Sequence, residues 1–369
     1  MFLDPSRLLT GLSLVRMGAH VQRALNTGAP LVALETAVVT HGLPPGTNWM
    51  VAQDMEVIVR SRGVTPATVG VVDGRLVIGL SAEELETLAR MAQERVRYER
   101  ALEQALSIGA DVPPGPPPVV KLGARDLGPF LARTRLSRPG RDALPLPRYG
   151  GTTVGATLVA CRLTGIRVFA TGGIGGVHRD PPYDVSGDLP QMAISPVIVV
   201  AAGVKSILHV EATFEYLETL GISVIGYQTD TFPVFYAREY RPKGGSRPLK
   251  VPYRADSPGE VAEMALAHWA LGMQSGVLVV VPPPADVALS WDELEAWMAR
   301  AMEEARRLGK RGPEVTPFLL DRLQTLSEGR TVEVNVALLR NNAQVARDIA
   351  RALYHAYPKH LASSPSQED

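Results

Sequence analysis

The chain has little of what several common functions require. It contains one cysteine, Cys161, in 369 residues. An intrachain disulfide is therefore excluded, and so is a zinc cluster built on thiolates. No H-x-x-x-H spacing or other nitrogen-rich cluster offers zinc a substitute set of ligands. The 38 basic and 38 acidic side chains cancel. A protein that grips nucleic acid through its phosphates carries a basic surplus, so no nucleic-acid partner is expected. No apolar run reaches the roughly 18 residues of a membrane span, so no membrane partner is expected. The start, MFLDPSRLLTGLSLVRM, lacks the basic-then-apolar layout of a secretion signal, which points to the cytoplasm. What remains is a chain with 46% hydrophobic and 21% charged residues, enough to bury a large core.

Lysine is also scarce. Only Lys121, Lys205, Lys243, Lys250, Lys310 and Lys359 occur among the 38 basic residues, and arginine supplies the rest. Arginine cannot lose its proton at ordinary pH and so cannot act as a nucleophilic amine, whereas lysine can. Lys243, Lys250, Lys310 and Lys359 sit in polar surroundings and read as surface residues.

Apolar runs alternate with helical patterns for most of the length. LVALETAVV (31–39) reads as a buried strand, and MVAQDMEVIVRSRG (50–63) as a helix. ATVGVVDGRLVIG (67–79) reads as two strands around an Asp73-Gly74 turn. Ser81 and Glu84 form a capping box opening a helix that runs to about Leu106. VVKLGARDL is a strand end and helix start, and TTVGATLVACRLTG (152–165) an apolar helix. IRVFAT (166–171), PVIVVAAG (196–203), ISVIGY (222–227) and GVLVVVPPP are strands separated by helices, and two further helices close the chain. The pattern predicts an α/β fold, a three-layer α/β/α single domain around a mixed, mostly parallel sheet. Residues 1–24 read as an N-terminal extension, 25–355 as the domain and 356–369 as a frayed tail. DVPPGPPP (111–118), 133–151 and 238–250 read as loops.

Three strand ends carry unusual chemistry. In ATGGIGGVHR (170–179), four glycines would let the backbone approach a ligand and turn N–H groups toward an anion, with Thr171, His178 and Arg179 adding donors. A tight turn between elements would need the same glycines. In VIVVAAGVKSIL, Lys205 follows an apolar strand and a glycine turn. Poor solvation there would disfavour the ammonium and leave an amine able to attack a carbonyl-like carbon. The alternative is a partly exposed lysine at a helix N-terminus, where the helix dipole opposes a cation. In VALETAVVTHG, Glu35 interrupts an apolar strand and is a candidate general acid, unless it simply bonds neighbouring backbone or an arginine. Asp184 and Asp188, spaced i, i+4 around Ser186, would face one way on a helical turn, where oxygen ligands suit a hard divalent cation. A helix cap with a solvated acidic face is the other reading.

In this order, ALET–THGLP (33–44), TPATVGVVDGRLVIGLS (65–81), KLGARDL (121–127), TTVGAT (152–157), VFATGGIGGVHR (168–179), YDVSGDL (183–189) and VVAAGVKSIL (199–208) carry a resemblance. So do EYLETLGISVIGYQTDTFPVFY (215–236), VTPFLLDRL (315–323) and NVALLRNNAQVA (335–346). Together they resemble the pseudouridine-5′-phosphate glycosidases, also described as indigoidine synthase A-like, over roughly residues 25–355. The resemblance implies a reversible cleavage of a C–C glycosidic bond, giving uracil and ribose 5-phosphate, by ring opening and a lysine imine at C1′. It places the nucleophile on Lys205, the proton donor on Glu35 and a Mn2+-associated carboxylate on Asp184, with Mg2+ as the other option. Substrate and phosphate contacts fall on Lys121, Val154, Thr171, His178, Ser186, Gly187 and Asp188. It also implies a homotrimer. KLGARDL departs from the usual lysine–Val–Ser–Arg–Arg–Asp run, and 279–287 lacks a common asparagine. The same lysine and phosphate loop could serve a lysine-imine aldolase or isomerase on another pentose phosphate, or a non-catalytic sugar-phosphate binder. A pure binder has no need for a low-pKa amine beside a proton donor.

Overall fold

Short runs of valine, isoleucine and leucine form the strands of the computed structural model, which describes residues 14–109, 117–136, 146–179, 183–242, 247–310 and 315–362. The chain divides into two compact units, Met1–Gly165 and Ile166–Asp369.

The first unit runs β1 (Val15–Met17), α1 (Ala19–Thr27), β2 (Leu31–Leu34), α2 (Thr47–Arg60), β3 (Thr65–Val72), β4 (Arg75–Ile78), α3 (Ala82–Ile108), β5 (Val119–Leu122), α4 (Ala124–Leu136), β6 (Tyr149–Thr152) and α5 (Val154–Thr164). Its sheet is mixed, and β3 is the hub. Residues Thr65–Thr68 pair parallel with β2, while Gly70 and Val71 pair antiparallel with β6. β4 also runs antiparallel to β3 through the expected turn, with Asp73 and Gly74 both at positive φ. β1 joins β4 and β5 joins β6, both parallel. The capping box forms as read: Ser81 Oγ accepts from Glu84 N–H, and the Glu84 carboxylate from Ser81 N–H.

The second unit runs β7 (Val168–Ala170), α6 (Asp188–Ala193), β8 (Ile198–Ala201), α7 (Val210–Thr219), β9 (Ser223–Tyr227), β10 (Tyr253–Ala255), α8 (Pro258–Ala270), β11 (Val277–Val280), α9 (Trp291–Arg307), α10 (Val315–Leu326) and α11 (Arg330–Ala362). Its strands are all parallel, in the order β7-β8-β11-β9-β10. β8 and β11 are buried along their whole length, as the uninterrupted apolar runs IVVA and VLVV require of strands covered on both faces. α11 packs against β7, β8 and α8.

The α/β class and the mixed, mostly parallel strand pattern hold. One expected strand is shorter than read. β2 stops at Leu34, and the run from Glu35 leaves the sheet into a single π-helical turn, Val38–Gly42. The reason lies in the next ladder acceptor, Val69 O, which is taken by the hydroxyls of Thr36 and Thr152, each at 2.7 Å. β1 and α1 are built into the first unit although they overlap the 1–24 extension, and α11 continues to Ala362, inside the stretch read as a tail. β6 and β10 were not anticipated: YGGT and YRA are too short and too poor in apolar residues to stand out. Residues 1–13, 110–116, 137–145 and 363–369, where parts of the predicted extension, loops and tail fall, lie outside the described residues.

Gly203, just after β8, has φ 80°, and a Cβ there would lie 1.9 Å from Pro233 O. Gly203→Ala should therefore destabilise the protein by about 2–4 kcal/mol, from left-handed backbone strain plus overpacking. Urea unfolding measures this, and a loss below about 1 kcal/mol would contradict so tight a packing there.

Candidate active site

An open parallel sheet collects ligands beyond the carboxyl ends of its strands. In the second unit two neighbouring strands end together. β7 delivers Thr171 and the glycine run 172–176, and β8 delivers Gly203 and Lys205. Backbone bonds join the two extensions. Thr171 N–H donates to Val200 O at 3.0 Å, Ala202 N–H to Gly172 O at 2.9 Å, and Ile174 N–H to Gly203 O at 3.1 Å. Lys205 N–H then donates to Ile174 O at 3.1 Å, which fixes the lysine against the glycine run by its own amide. Lys205 is half-buried. Its carbonyl accepts from Leu208 N–H at 3.0 Å, closing a reverse turn, and α7 begins only at Val210. The lysine thus stands clear of the helix's first turn, the range over which the dipole acts.

The glycines are required by the packing of the protein on itself. A Cβ on Gly173 would lie 2.5 Å from the Phe235 ring, one on Gly175 2.2 Å from Ser186 Oγ, and one on Gly176 2.3 Å from Thr213 Oγ1. Gly175 N–H donates to Asp188 Oδ2 at 2.9 Å, and Val177 N–H to Thr213 Oγ1 at 2.9 Å. The run is therefore braced from outside, and the N–H of Gly175 is spent on a carboxylate of the protein itself.

Asp184 and Asp188 do not share a helical turn. Val177 and Val185 form an antiparallel bridge that keeps the chain extended through Asp184, and α6 starts at Asp188. His178 N–H donates to Asp184 O at 2.9 Å, and His178 Nδ1 lies 3.8 Å from Asp184 Oδ2. Ser186 N–H donates to Gly176 O at 3.0 Å, and Ser186 Oγ accepts from Asp188 N–H at 3.2 Å. His178 is thus bonded to Asp184, and Ser186 and Asp188 to Gly176 and Gly175, on the same 171–178 segment whose Ile174 holds the amide of Lys205. Thr171 and Asp188 are buried, while the Asp184 side chain is 51% exposed. Among the described residues no group of three or more His, Cys, Asp or Glu is arranged to hold a metal ion. One exposed carboxylate suits an Mg2+-like ion that keeps most of its waters, and not a closed protein cage.

In the first unit, Thr36 anchors the turn that follows Glu35. Its hydroxyl accepts from Thr152 N–H at 3.1 Å, and Thr157 Oγ1 donates to Thr152 Oγ1 at 3.1 Å, so buried threonines tie this turn to the start of α5. Asn48 Nδ2 donates to Val39 O at 2.8 Å and Arg95 Nε to Thr40 O at 3.2 Å, which hold the π-helical turn. Glu35 is half-buried at the strand end. Lys121 is exposed on β5, paired in register with Gly151. Val154 is 1% exposed, so what position 154 can offer a ligand is its backbone N–H in the first turn of α5.

His41 has an ordinary pKa of 6.5 lowered to about 3, because burial strips its water and the charges of Arg95 and Lys121 repel a proton. Thr40 Oγ1 already donates to Thr36 O at 3.0 Å, so in its 2.8 Å contact with His41 Nδ1 the imidazole is the donor. The ring is neutral with its proton on Nδ1.

Sequence reasoning missed three supports. Phe235 caps Gly173 from a left-handed conformation, φ 51°, with its N–H donating to Ala202 O at 2.7 Å. Thr213 and Asn342 are fully buried. Asn342 Nδ2 donates to Thr171 O at 2.8 Å from α11. An asparagine on the apolar stripe Leu338, Leu339, Ala343, Ala346 was the available signal.

A family model described as "Indigoidine synthase A like protein" matches residues 20–111 and 113–352. The chain belongs to the indigoidine synthase A-like family. Family relatives named pseudouridine-5′-phosphate glycosidase are similar over nearly the whole length. That of Petrotoga mobilis is 37% identical, covering 90% of this chain and 94% of its own, and that of Dinoroseobacter shibae 40% identical, covering 93% and 98%. A solved structure, the prealnumycin C-glycosynthase AlnA in complex with ribulose 5-phosphate, superposes with TM-score 0.76 at 31% identity, over 94% of this chain and 99% of that one. The family match takes in most of both units.

The neutral His41 of this family member has a consequence for stability. The unfolded chain binds a proton there near pH 6.5 and the folded chain only near 3, so the contribution is complete above 6.5 and lost as pH falls toward 3. At pH 5 the loss is about 2 kcal/mol. Urea unfolding at pH 7 and pH 5 should show this component in the wild type and not in His41→Gln, and equal losses in both would contradict it.

Proposed function

We propose that this chain cleaves the C–C glycosidic bond of pseudouridine 5′-phosphate, reversibly, to uracil and ribose 5-phosphate. The observation that carries the reading is the placing of Lys205, half-buried on a strand-end turn and bonded through its amide to the glycine run. The relatives' names and the sugar-phosphate complex of the C-glycosynthase support the substrate class.

A C-glycoside has no leaving heteroatom at the scissile bond, so the two-carboxylate device of ordinary glycosidases does not suffice. An amine solves the problem. Lys205 Nζ bonds to C1′ as the C1′–O4′ bond breaks, and the ring oxygen takes a proton from Glu35. The secondary ammonium so formed passes a proton to the Glu35 carboxylate; the C1′–C5 bond then breaks, its electron pair going to uracil C5, which takes that proton from Glu35, while the freed nitrogen lone pair forms C1′=N. Water adds to C1′ and expels the amine, releasing ribose 5-phosphate. The balance is one water consumed, with no oxidant or reductant. Lys121, the backbone at Val154, Thr171, His178 and Ser186-Gly187-Asp188 serve the phosphate and sugar, and binding at that remote end orients C1′. Asp184 would hold a Mn2+ or Mg2+ ion, which supplies charge neutralisation near the phosphate. The trimer implied by the family resemblance and the cytoplasmic location read from the amino-acid sequence belong to the same proposal.

Free uracil, detected chromatographically after incubation with pseudouridine 5′-phosphate, is the test. Wild type should release it, and Lys205→Ala should not, while still binding ribose 5-phosphate. Glu35→Gln should lose about 10²–10⁴-fold in kcat with an unchanged melting temperature. Full turnover in either variant would remove that residue from the chemistry. Exhaustive chelation should lower the rate, and an unchanged rate would leave Asp184 with a structural task only.

A further inference from the structure

Arg179 ends the glycine-run segment and offers five N–H donors, the natural equipment of a phosphate ligand. The structure spends four of them elsewhere. Nη1 and Nη2 grip Glu295 of α9 at 2.9 and 3.1 Å, Nε donates to Leu208 O at 3.2 Å, and Nη2 donates to Ser206 O at 3.2 Å. Both side chains are largely buried, 20% and 16% exposed. Ser206 and Leu208 belong to the reverse turn that Lys205 opens. Apart from the Lys205–Leu208 bond, that turn sits in no helix or strand, so its carbonyls have no ladder to join. The guanidinium supplies the missing donors, and Glu295 both balances its charge and fixes its plane.

We propose that Arg179, anchored by Glu295, is a positioning residue for Lys205: it locks the turn that aims the amine, and it does not touch the substrate. The inference rests on the reading of Lys205 as the nucleophile. A guanidinium is needed because its planar fork meets a carboxylate and two carbonyls at once. An ammonium at the same position cannot span them.

The test uses the full-length enzyme. Arg179→Lys should lower kcat for uracil release by roughly 10- to 100-fold while KM stays within about twofold, since the turn and not the phosphate grip is loosened. The rate of borohydride trapping with ribose 5-phosphate should fall by the same factor. Millimolar guanidinium should restore part of both rates in Arg179→Ala. Should Arg179→Lys fail to fold, Glu295→Gln, which leaves the carbonyl contacts in place, should still slow trapping, on the order of tenfold. Wild-type trapping in a folded Arg179→Lys, or in Glu295→Gln if the first does not fold, overturns the proposal. So does a loss confined to KM, which would make Arg179 a phosphate ligand. Lys205→Arg separates the two readings. An adduct formed there overturns the nucleophile assignment itself; its absence, together with wild-type trapping in the Arg179 variant, overturns the clamp alone.

Discussion

The position of Lys205 in the second unit is set by backbone: its amide is bonded to Ile174 O, and the glycine run that carries Ile174 is itself packed shut. Three segments approach within hydrogen-bonding distance beyond the ends of β7 and β8. Gly203 passes against Pro233 O, Ile174 O receives the amide of Lys205, and Phe235 N–H closes on Ala202 O. No residue with a Cβ fits at Gly173, Gly175, Gly176 or Gly203 without displacing a neighbour. The supports behind them are side chains with their polar atoms fully buried in the protein: Thr213 on Val177 N–H and Asn342 on Thr171 O. A buried polar group with a partner is rigid, because its loss costs its whole desolvation.

The first unit uses a related device with hydroxyls. Val69 O accepts from both Thr36 and Thr152, so a strand-ladder position is filled by side chains and the main chain is released to turn. That release puts Glu35 at the end of β2 and creates the π-helical turn that carries His41. Insertions of this type inside regular structure recur at functional sites. Arg95 and Asn48 satisfy the carbonyls that the turn leaves over.

Much of this was legible in the sequence, and what was not has identifiable causes. The β7 and β8 runs, the Asp73-Gly74 hairpin and the Ser81–Glu84 cap each declare themselves through residues with a local preference, and all formed where expected. The strand read through residue 39 failed because hydrophobic runs do not report hydroxyls competing for a ladder acceptor, here 33 and 83 positions from it. The helical pairing of Asp184 and Asp188 failed because a single bridge, Val177 to Val185, overrode the i, i+4 spacing. The glycine run was seen with two readings, an anion cradle and a tight turn, because glycine demanded by Ser186, Thr213 and Phe235 looks in one dimension like glycine demanded by a phosphate. Arg179 reads as an anion donor on the same one-dimensional grounds, whereas its partner Glu295 lies 116 positions on.

The account stands on a transient covalent bond at one of six lysines. Its most direct test is peptide mass mapping of the enzyme reduced with borohydride in the presence of ribose 5-phosphate. A single increment of reduced pentose phosphate on the peptide that contains Lys205 is the result predicted. An increment on Lys121 or another lysine, or no adduct at all from an active preparation, would contradict it.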